Sequence, residues 1–324
     1  MQRHFFLKLA ASAVLCLGLP SMAMAQAFPS RPIRLLVPYS PGGLPDTVAR
    51  ILSQRLSETP GQSVVVDNKP GASGAVAAAA LAQAPADGHT LLVTDGSMLA
   101  ITPLISRKPA YDAARDFVPV SLVGTAPLFL AVHPSVKAKT LDELIALAKS
   151  SPGRLNYGSS GVGSIHQLTA EAMKEGFGIF ITHIPFKGSG ASVPAMIGGE
   201  VEMVFASPPS LMGFVKSGQA RLLAINSTRR SALAPDVPAL AERLPGFDFA
   251  FNVVVMARTG TPKELIARLS SEIANVVRRP EVIEQMRLAG VDPVGGTPEQ
   301  LAAALKAEAT RVTAAARVAR LTAE

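Results

Sequence analysis

Ile33-Arg34-Leu35-Leu36-Val37, followed by Pro38-Tyr39-Ser40-Pro41-Gly42-Gly43-Leu44-Pro45-Asp46 and the segment to Glu58, decides how this chain is read. The apolar run predicts a buried strand and the glycines predict a tight turn. Pro45 at a first helical position and Asp46 in the first turn predict a helix, with Val48, Ile51, Leu52 and Leu56 as its apolar stripe. Strand, glycine turn and helix start together make an anion cradle. The backbone N–H groups of Gly42, Gly43 and Leu44 can converge on a ligand beside the unpaired N–H groups of the helix. No cationic side chain is needed. Many α/β domains use such a turn only to reverse the chain, so its meaning depends on the rest of the sequence.

A second stretch repeats the arrangement: Asn156-Tyr157-Gly158-Ser159-Ser160-Gly161-Val162-Gly163-Ser164-Ile165-His166-Gln167-Leu168. Ser164 and Gln167 have the capping-box spacing, which predicts a helix to about Lys174 with Ser159, Ser160 and backbone N–H groups facing the same opening. A third loop, Asn68 to Gly74, contains Gly71 and Ser73 and precedes another helix. Thr94-Asp95-Gly96-Ser97 ends another strand. In open α/β sheets ligands lie beyond the carboxyl ends of strands, where all these loops would sit. For each loop alone, a cap or a solvated turn is the plainer reading.

The remaining elements alternate. Val64–Val66, Thr90–Thr94 and Leu155–Tyr157 read as strands, and Gly74–Gln83 and Leu141–Ser150 as helices, which is the βαβα pattern of a mainly parallel sheet covered by helices. A second sheet is read to start near Phe117–Val123 and Phe129–Val132 and to include Val201–Phe205 and Leu222–Asn226. Ala250–Ala257, a helix from Pro262 to Arg278 and an alanine-rich helix from Pro298 read as a return to the first domain.

Met1–Lys8 with Arg3 and Lys8, the apolar Leu9–Leu19 and Ala23-Met24-Ala25 predict a cleaved secretory signal over residues 1–25, with export to the periplasm and a mature start near Gln26. The single cysteine, Cys16, falls inside that signal, after Leu15 where a lipoprotein signal would need a small residue. The mature chain then has no disulfide, cysteine-ligated metal or thiol chemistry. No later apolar run reaches the spanning length of about 18 residues. The formal charge of +7 falls by two when Arg3 and Lys8 leave, a balance that suits an anionic ligand or acidic membrane surface. Three tyrosines, no tryptophan and no basic tract argue against nucleic acid. His89, His133 and His183 lack metal-ligand spacing, and no Walker lysine or dinucleotide fingerprint is present, so neither metal nor cofactor is expected.

Tyr39–Asp46, Asn68–Gly74, Tyr157–Ser164, Phe186-Lys187-Gly188 with Gly198-Gly199-Glu200-Val201, and Pro235-Asp236-Val237-Pro238 with Pro245-Gly246-Phe247 resemble the Bug family. These are the extracytoplasmic solute-binding proteins of tripartite tricarboxylate transporters, and the resemblance runs from about Phe28 to the C-terminus. It implies a two-lobed α/β fold of the type II periplasmic-binding kind, each lobe a mainly parallel sheet flanked by helices, joined by crossing hinge strands. Residues 26–125 and 248–324 would form domain 1, and residues 126–247 domain 2. The implied function is capture of a small carboxylate by a monomer that presents it to membrane subunits of the transporter. The family's carboxylate cradle corresponds to Pro41-Gly42-Gly43 with Leu44, Tyr39 and Asp46 nearby. Its opposing contacts correspond to Ser159, Ser160, Gly161 and Ser164, and to Gly96-Ser97, with Gly71, Ser73, His166, Phe186 and Ala206 completing the expected site.

Three departures matter. Ala195 and Ala206 stand where the family commonly has aspartate, and Asn252 stands at about its usual tryptophan. Without an acid at position 206 a buried ammonium would go unpaired, which favours a plain carboxylate over an amino acid. Asp46 either pairs with N–H groups of the helix start or accepts a ligand hydroxyl. His166, in a first helical turn, is expected to be neutral. A secreted serine hydrolase using Ser159 or Ser160 with His166 is the competing class, but no Gly-x-Ser-x-Gly elbow or orienting acid is evident. A receptor that signals to a membrane sensor would use the same closure as a transport protein.

Overall fold

The computed structural model describes residues 28–58, 63–101, 105, 109–318 and 321. The predicted signal, residues 1–25, lies outside them. All elements below belong to the unit Arg31–Glu324.

In chain order these elements are β1 (Ile33–Val37), α1 (Leu44–Leu56), β2 (Val64–Asn68), α2 (Ala75–Gln83), β3 (Thr90–Asp95), α3 (Gly96–Ile101), α4 (Ala113–Asp116) and β4 (Phe117–Ala126). The chain continues through β5 (Phe129–Val132), α5 (Leu141–Ser150), β6 (Asn156–Ser159), α6 (Ile165–Phe177), β7 (Thr182–Pro185), α7 (Ser189–Ile197), β8 (Met203–Ala206), α8 (Pro208–Lys216) and β9 (Arg221–Ile225). It ends with β10 (Phe251–Arg258), α9 (Lys263–Val277), α10 (Pro280–Leu288), β11 (Asp292–Gly296) and α11 (Pro298–Val318).

The strands form two sheets, ordered β11-β4-β10-β3-β1-β2 and β7-β6-β8-β5-β9. In the first, β1 runs parallel to β2 and β3, with Leu35 opposite Val66 and Leu91. In the second, β6 runs parallel to β7 and β8. Both sheets are mixed: β10 is antiparallel to β3 and β4, β11 to β4, and β5 to β8 and β9. The mainly parallel reading therefore holds for the βα units and not for the strands that carry the chain across. Phe117–Val123 lies in the first sheet, as β4, and not in the second. Its alternating pattern gives a strand but not a partner; the partner is β10, more than a hundred residues later.

The chain leaves the first sheet between β4 and β5 and returns between β9 and β10. Buried Asn226 ties both crossings. Its backbone N–H reaches the Leu128 carbonyl at 2.9 Å, its Oδ1 accepts the Leu128 N–H at 2.7 Å, and its Nδ2 donates to the Phe249 carbonyl at 2.9 Å. Each sheet has its own core. Leu36, Leu92, Val254 and Met256 pack with Leu81 of α2 and Leu301 of α11, while Phe129, Val204 and Ile225 pack with Val193 and Met196 of α7 and Leu211 of α8. Among the described residues no helix is long and apolar enough to cross a membrane.

Candidate functional site

The Pro41–Gly43 turn follows β1, with Gly42 in a positive-φ conformation (+90°) that favours glycine. Gly43 is the N-cap of α1 and has no capping side chain. Buried Asp46 closes the turn from behind: Oδ2 accepts the Gly42 N–H at 3.0 Å and Arg50 Nε at 3.0 Å, and Oδ1 accepts Asn68 Nδ2 at 2.9 Å. Burial pushes its pKa up, but Arg50, the Gly42 N–H and Asn68 outweigh this and hold it below the ordinary carboxylate value. The Gly42 N–H is thus turned to Asp46 rather than to a ligand, because a carboxylate four residues on is the nearer acceptor. The expected three-donor cradle reduces to Gly43, Leu44 and the helix start.

The second turn closes in a similar way. Gly163 N–H donates to Gln167 Oε1 at 2.7 Å, and the Ser164 hydroxyl accepts the Gln167 N–H at 3.4 Å, capping α6. Ser159 is folded into its own loop, between the Gly161 backbone and His183 Nε2 at 2.6 Å. Ser160 Oγ lies 3.3 Å from His166 Nε2. His166 is buried, and burial pushes its pKa down to about 3, so the ring is neutral near pH 7. Its Nδ1 has no partner among the described residues.

The two lobes meet over these turns. Ser40 donates to the Lys187 carbonyl through its N–H (3.0 Å) and its hydroxyl (2.9 Å). A Cβ on Gly190 would overlap the Pro41 carbonyl oxygen, and one on Gly188 would sit 3.2 Å from Ser40 N. A Cβ on Gly161 would lie 2.9 Å from the Ser73 hydroxyl oxygen. Ala72 and Ser73 take left-handed backbone conformations (φ +45° and +50°), each costing roughly 1–3 kcal/mol, in the arch that faces the second lobe.

Beneath this contact lies an inner space of about 10 Å³, room for about one water. Tyr39, Gly43, Leu44 and Pro45 line it from the first turn, Asp95 and Phe251 from its floor, and Ser160, Ile165, His166, Ser189 and Ser207 from the other lobe. A mouth of about 230 Å³ is lined by Gly71, Ser73, Gly161, Phe186 and Lys187, among others. Asp95 is fully engaged: it accepts the Tyr39 and Ser97 hydroxyls and the Met98 N–H at 2.9 Å. Burial, then the Asp95 charge, raises the Tyr39 pKa well above its ordinary value, so the phenol stays protonated.

Of the residues expected from sequence, Tyr39, Gly43, Leu44, Ser160 and His166 line the inner space, and Gly71, Ser73, Gly161 and Phe186 line the mouth. Pro41, Gly42, Asp46, Ser159 and Ser164 shape the turns without lining either. Ser97 holds Asp95, and Gly96 packs under α11. Ala206 is buried in the second-lobe core. The sequence reading named the Thr94–Ser97 loop without giving Asp95 a place in the site, and it passed over Ser189, Ser207 and Phe251. Asp95 and Ser207 each stand where a strand meets a helix, the same signal that marks the two glycine turns. A larger groove, about 720 Å³, runs along the crossing segments, where Arg230 pairs with Glu242 and Arg311 with Asp248; it includes none of the glycine turns. No group of three His, Cys, Asp or Glu side chains among the described residues could hold a metal.

Two helix-flanked sheets, two crossings and a cleft lined by backbone turns and hydroxyls define a two-lobed binding protein. The family model "Tripartite tricarboxylate transporter family receptor" matches residues 48–318. Three of the similar solved structures show the likeness. Rpa4515 of R. palustris with adipate is 33% identical, covering 92% of this chain and 100% of its own, with a TM-score of 0.88. The periplasmic binding protein BugD is 25% identical over 92% of this chain and 100% of its own, with a TM-score of 0.87. MatC from Rhodopseudomonas palustris with bound malate is 28% identical over 89% and 99%, with a TM-score of 0.82. The chain belongs to the TctC, or Bug, family of solute-binding proteins.

Proposed function

We propose that the protein captures a small carboxylate between its lobes and delivers it to the membrane subunits of a tripartite tricarboxylate-type transporter, acting as a monomer in the periplasm after loss of residues 1–25. The observation that carries this is the lining of the inner space. Backbone groups of the helix start at Gly43 and Leu44 face Ser160, Ser189, Ser207 and a neutral His166, with no lysine or arginine among them. Such a site stabilises an anion by oriented dipoles and hydroxyls, and ordered water can complete its bonds. Adipate and malate in two similar structures support the carboxylate class.

The closed contact between the lobes leaves room for about one water, so anything larger enters only when the lobes part. Binding and closure are then one linked process, and the closed surface is what a membrane partner would recognise. The serine arrangements weigh against catalysis. Among the described residues His166 has no acid on Nδ1 to orient it, and Ser159 is held by its own loop.

The deciding experiment is a thermal-shift screen of the chain from Gln26 against mono-, di- and tricarboxylates, aromatic acids and amino acids, with calorimetry on each hit. A ligand at about 100 times its dissociation constant should add roughly 2.7 kcal/mol, a shift of a few degrees. Gly43→Val should abolish the shift in a folded protein, since its Cβ would press on Ser189 Oγ from 3.1 Å and screen the helix start. Capture of aspartate or glutamate to the exclusion of non-amino dicarboxylates would overturn the plain-carboxylate assignment.

A further inference from the structure

Glu308 is a carboxyl group in the wrong place for a soluble helix. It lies on α11 with 1% of its surface exposed. Its Oε2 accepts Asn252 Nδ2 at 2.6 Å and the Asn252 backbone N–H at 3.4 Å, while Oε1 is buried with no partner among the described residues. A buried carboxyl with one oxygen hydrogen-bonded and the other without a partner favours the neutral acid over the charged form. Burial, reinforced by the Asp95 charge, pushes its pKa up to about 8.

The position ties this group to the cleft from two sides. A Cβ on Gly96 would overlap Glu308 Oε2, so Glu308 rests on the backbone of the residue next to Asp95. Asn252 follows Phe251 at the start of β10, where the chain re-enters the first sheet, and Phe251 and Asp95 both line the inner space. Three donors converge on Asp95: the Tyr39 and Ser97 hydroxyls and the Met98 N–H.

The other charged groups near Glu308 do not neutralise it. Arg311, one turn along α11, lowers its pKa somewhat but is tied to Asp248 at 3.1 Å. α3 and β4 bring no titratable side chain, and Arg258, at the far end of β10, is bonded to the Ala84 carbonyl. From α6, which packs on α11, His166 is neutral, Glu171 and Lys174 pair with each other, and Glu175 is exposed.

We propose that Glu308 is a positioning residue for the cleft, and that its proton, held across Gly96 from Asp95, sets how tightly the cleft takes an anion. The inference rests on reading the cleft as a carboxylate site. With Glu308 ionised, an incoming carboxylate meets one more negative charge behind the floor than with Glu308 protonated. A bound anion therefore makes Glu308 harder to ionise, and the loaded protein keeps the proton to higher pH than the empty one. Affinity is flat while both forms are protonated. It falls by up to about tenfold per pH unit between the two pKa values, where binding must take up a proton.

The test has two arms. Calorimetry with adipate at about pH 7 and about pH 9.5 should show the wild-type dissociation constant rising by about threefold or more, with proton uptake at the higher pH, and Glu308→Gln should show no such rise. Equal slopes in the two proteins overturn the proposal. The second arm needs no ligand: carbon NMR of protein labelled in its glutamate carboxyls should show one signal, absent from Glu308→Gln, that titrates near pH 8 in the empty protein. Titration of that signal with the exposed glutamates overturns the proposal. Adipate binding at no pH would count against the carboxylate reading, and the NMR arm then decides the state of Glu308 on its own.

Discussion

The two glycine turns that face each other across the cleft are closed by the same bond and capped differently. In each, the N–H of the residue before the N-cap donates to a side chain four positions on: Gly42 to Asp46 at 3.0 Å, and Gly163 to Gln167 at 2.7 Å. The first turn has glycine as N-cap and spends a charge, offset by Arg50. The second has Ser164 as N-cap and spends none. Ser164 satisfies one helix-start donor of its own helix, whereas Gly43 leaves that work undone. The first turn is therefore the one left to satisfy an outside acceptor, and the second presents mainly the Ser160 hydroxyl and the neutral His166.

The largest expected effect breaks the contact between each turn's lobe and the opposite lobe. Gly190→Val places a side chain into the Pro41 carbonyl, a backbone atom that cannot rotate away. Overpacking of this kind costs about 1–3 kcal/mol or more, so carboxylate affinity should fall by about 100-fold while thermal unfolding without ligand stays within a few degrees. Gly161→Ala meets only the Ser73 hydroxyl, which can move, but it strains a φ of +126°. About tenfold is expected there. Small-angle scattering should find Gly190→Val more extended than wild type. If it proves as compact and binds as tightly, the Pro41 contact is not what closure requires.

Much of this comparison was legible in the sequence. Gly42-Gly43-Pro45 places the start of α1, Ser164 with Gln167 places the start of α6, and Leu141–Ser150 matches α5 at both ends. These features are local, set by turn residues and caps within a few positions. β11 was not legible: Asp292-Pro293-Val294-Gly295-Gly296 has the composition of a loop and becomes a strand only as an edge against β4. α3 begins Gly96-Ser97 and gives no propensity signal. The site's fixings were hidden for the same reason. Tyr39 meets Asp95, and Asn252 meets Glu308, each across 56 positions, and Ser40 meets Lys187 across 147. No pattern within a single element marks such partners.

Exchanging the caps sharpens the comparison at smaller cost. Gly43→Ser should let the new hydroxyl take the Asp46 N–H, giving the first turn the cap of the second. Stability should change by only a few tenths of a kcal/mol, since Gly and Ser are both acceptable N-caps, while carboxylate affinity falls by about tenfold, or ~1.4 kcal/mol. Ser164→Gly should destabilise α6 by a similar few tenths and leave affinity within about twofold. Matched losses of affinity in both variants would remove the asymmetry between the turns.

The last contrast between the turns concerns charge. Asp46 has its pKa held below the ordinary value, so it binds protons less readily folded than unfolded. Its contribution to stability is fully present above the unfolded carboxylate value of about 4 and is lost as pH falls through the lower folded value. Asp46→Asn keeps an acceptor for the Gly42 N–H but loses the pairing with Arg50, whose side chain is 56% exposed and so well screened. Urea unfolding at neutral pH should therefore show the variant weaker by about 1 kcal/mol, with the gap closing below about pH 4. At the other turn Gln167→Leu should leave the Gly163 N–H unpaired at every pH, costing about 1–2 kcal/mol at most with no acid dependence. A difference between the turns that vanishes in acid is the mark of a charge spent on one side only. A difference that persists there would assign Asp46 the same neutral role as Gln167.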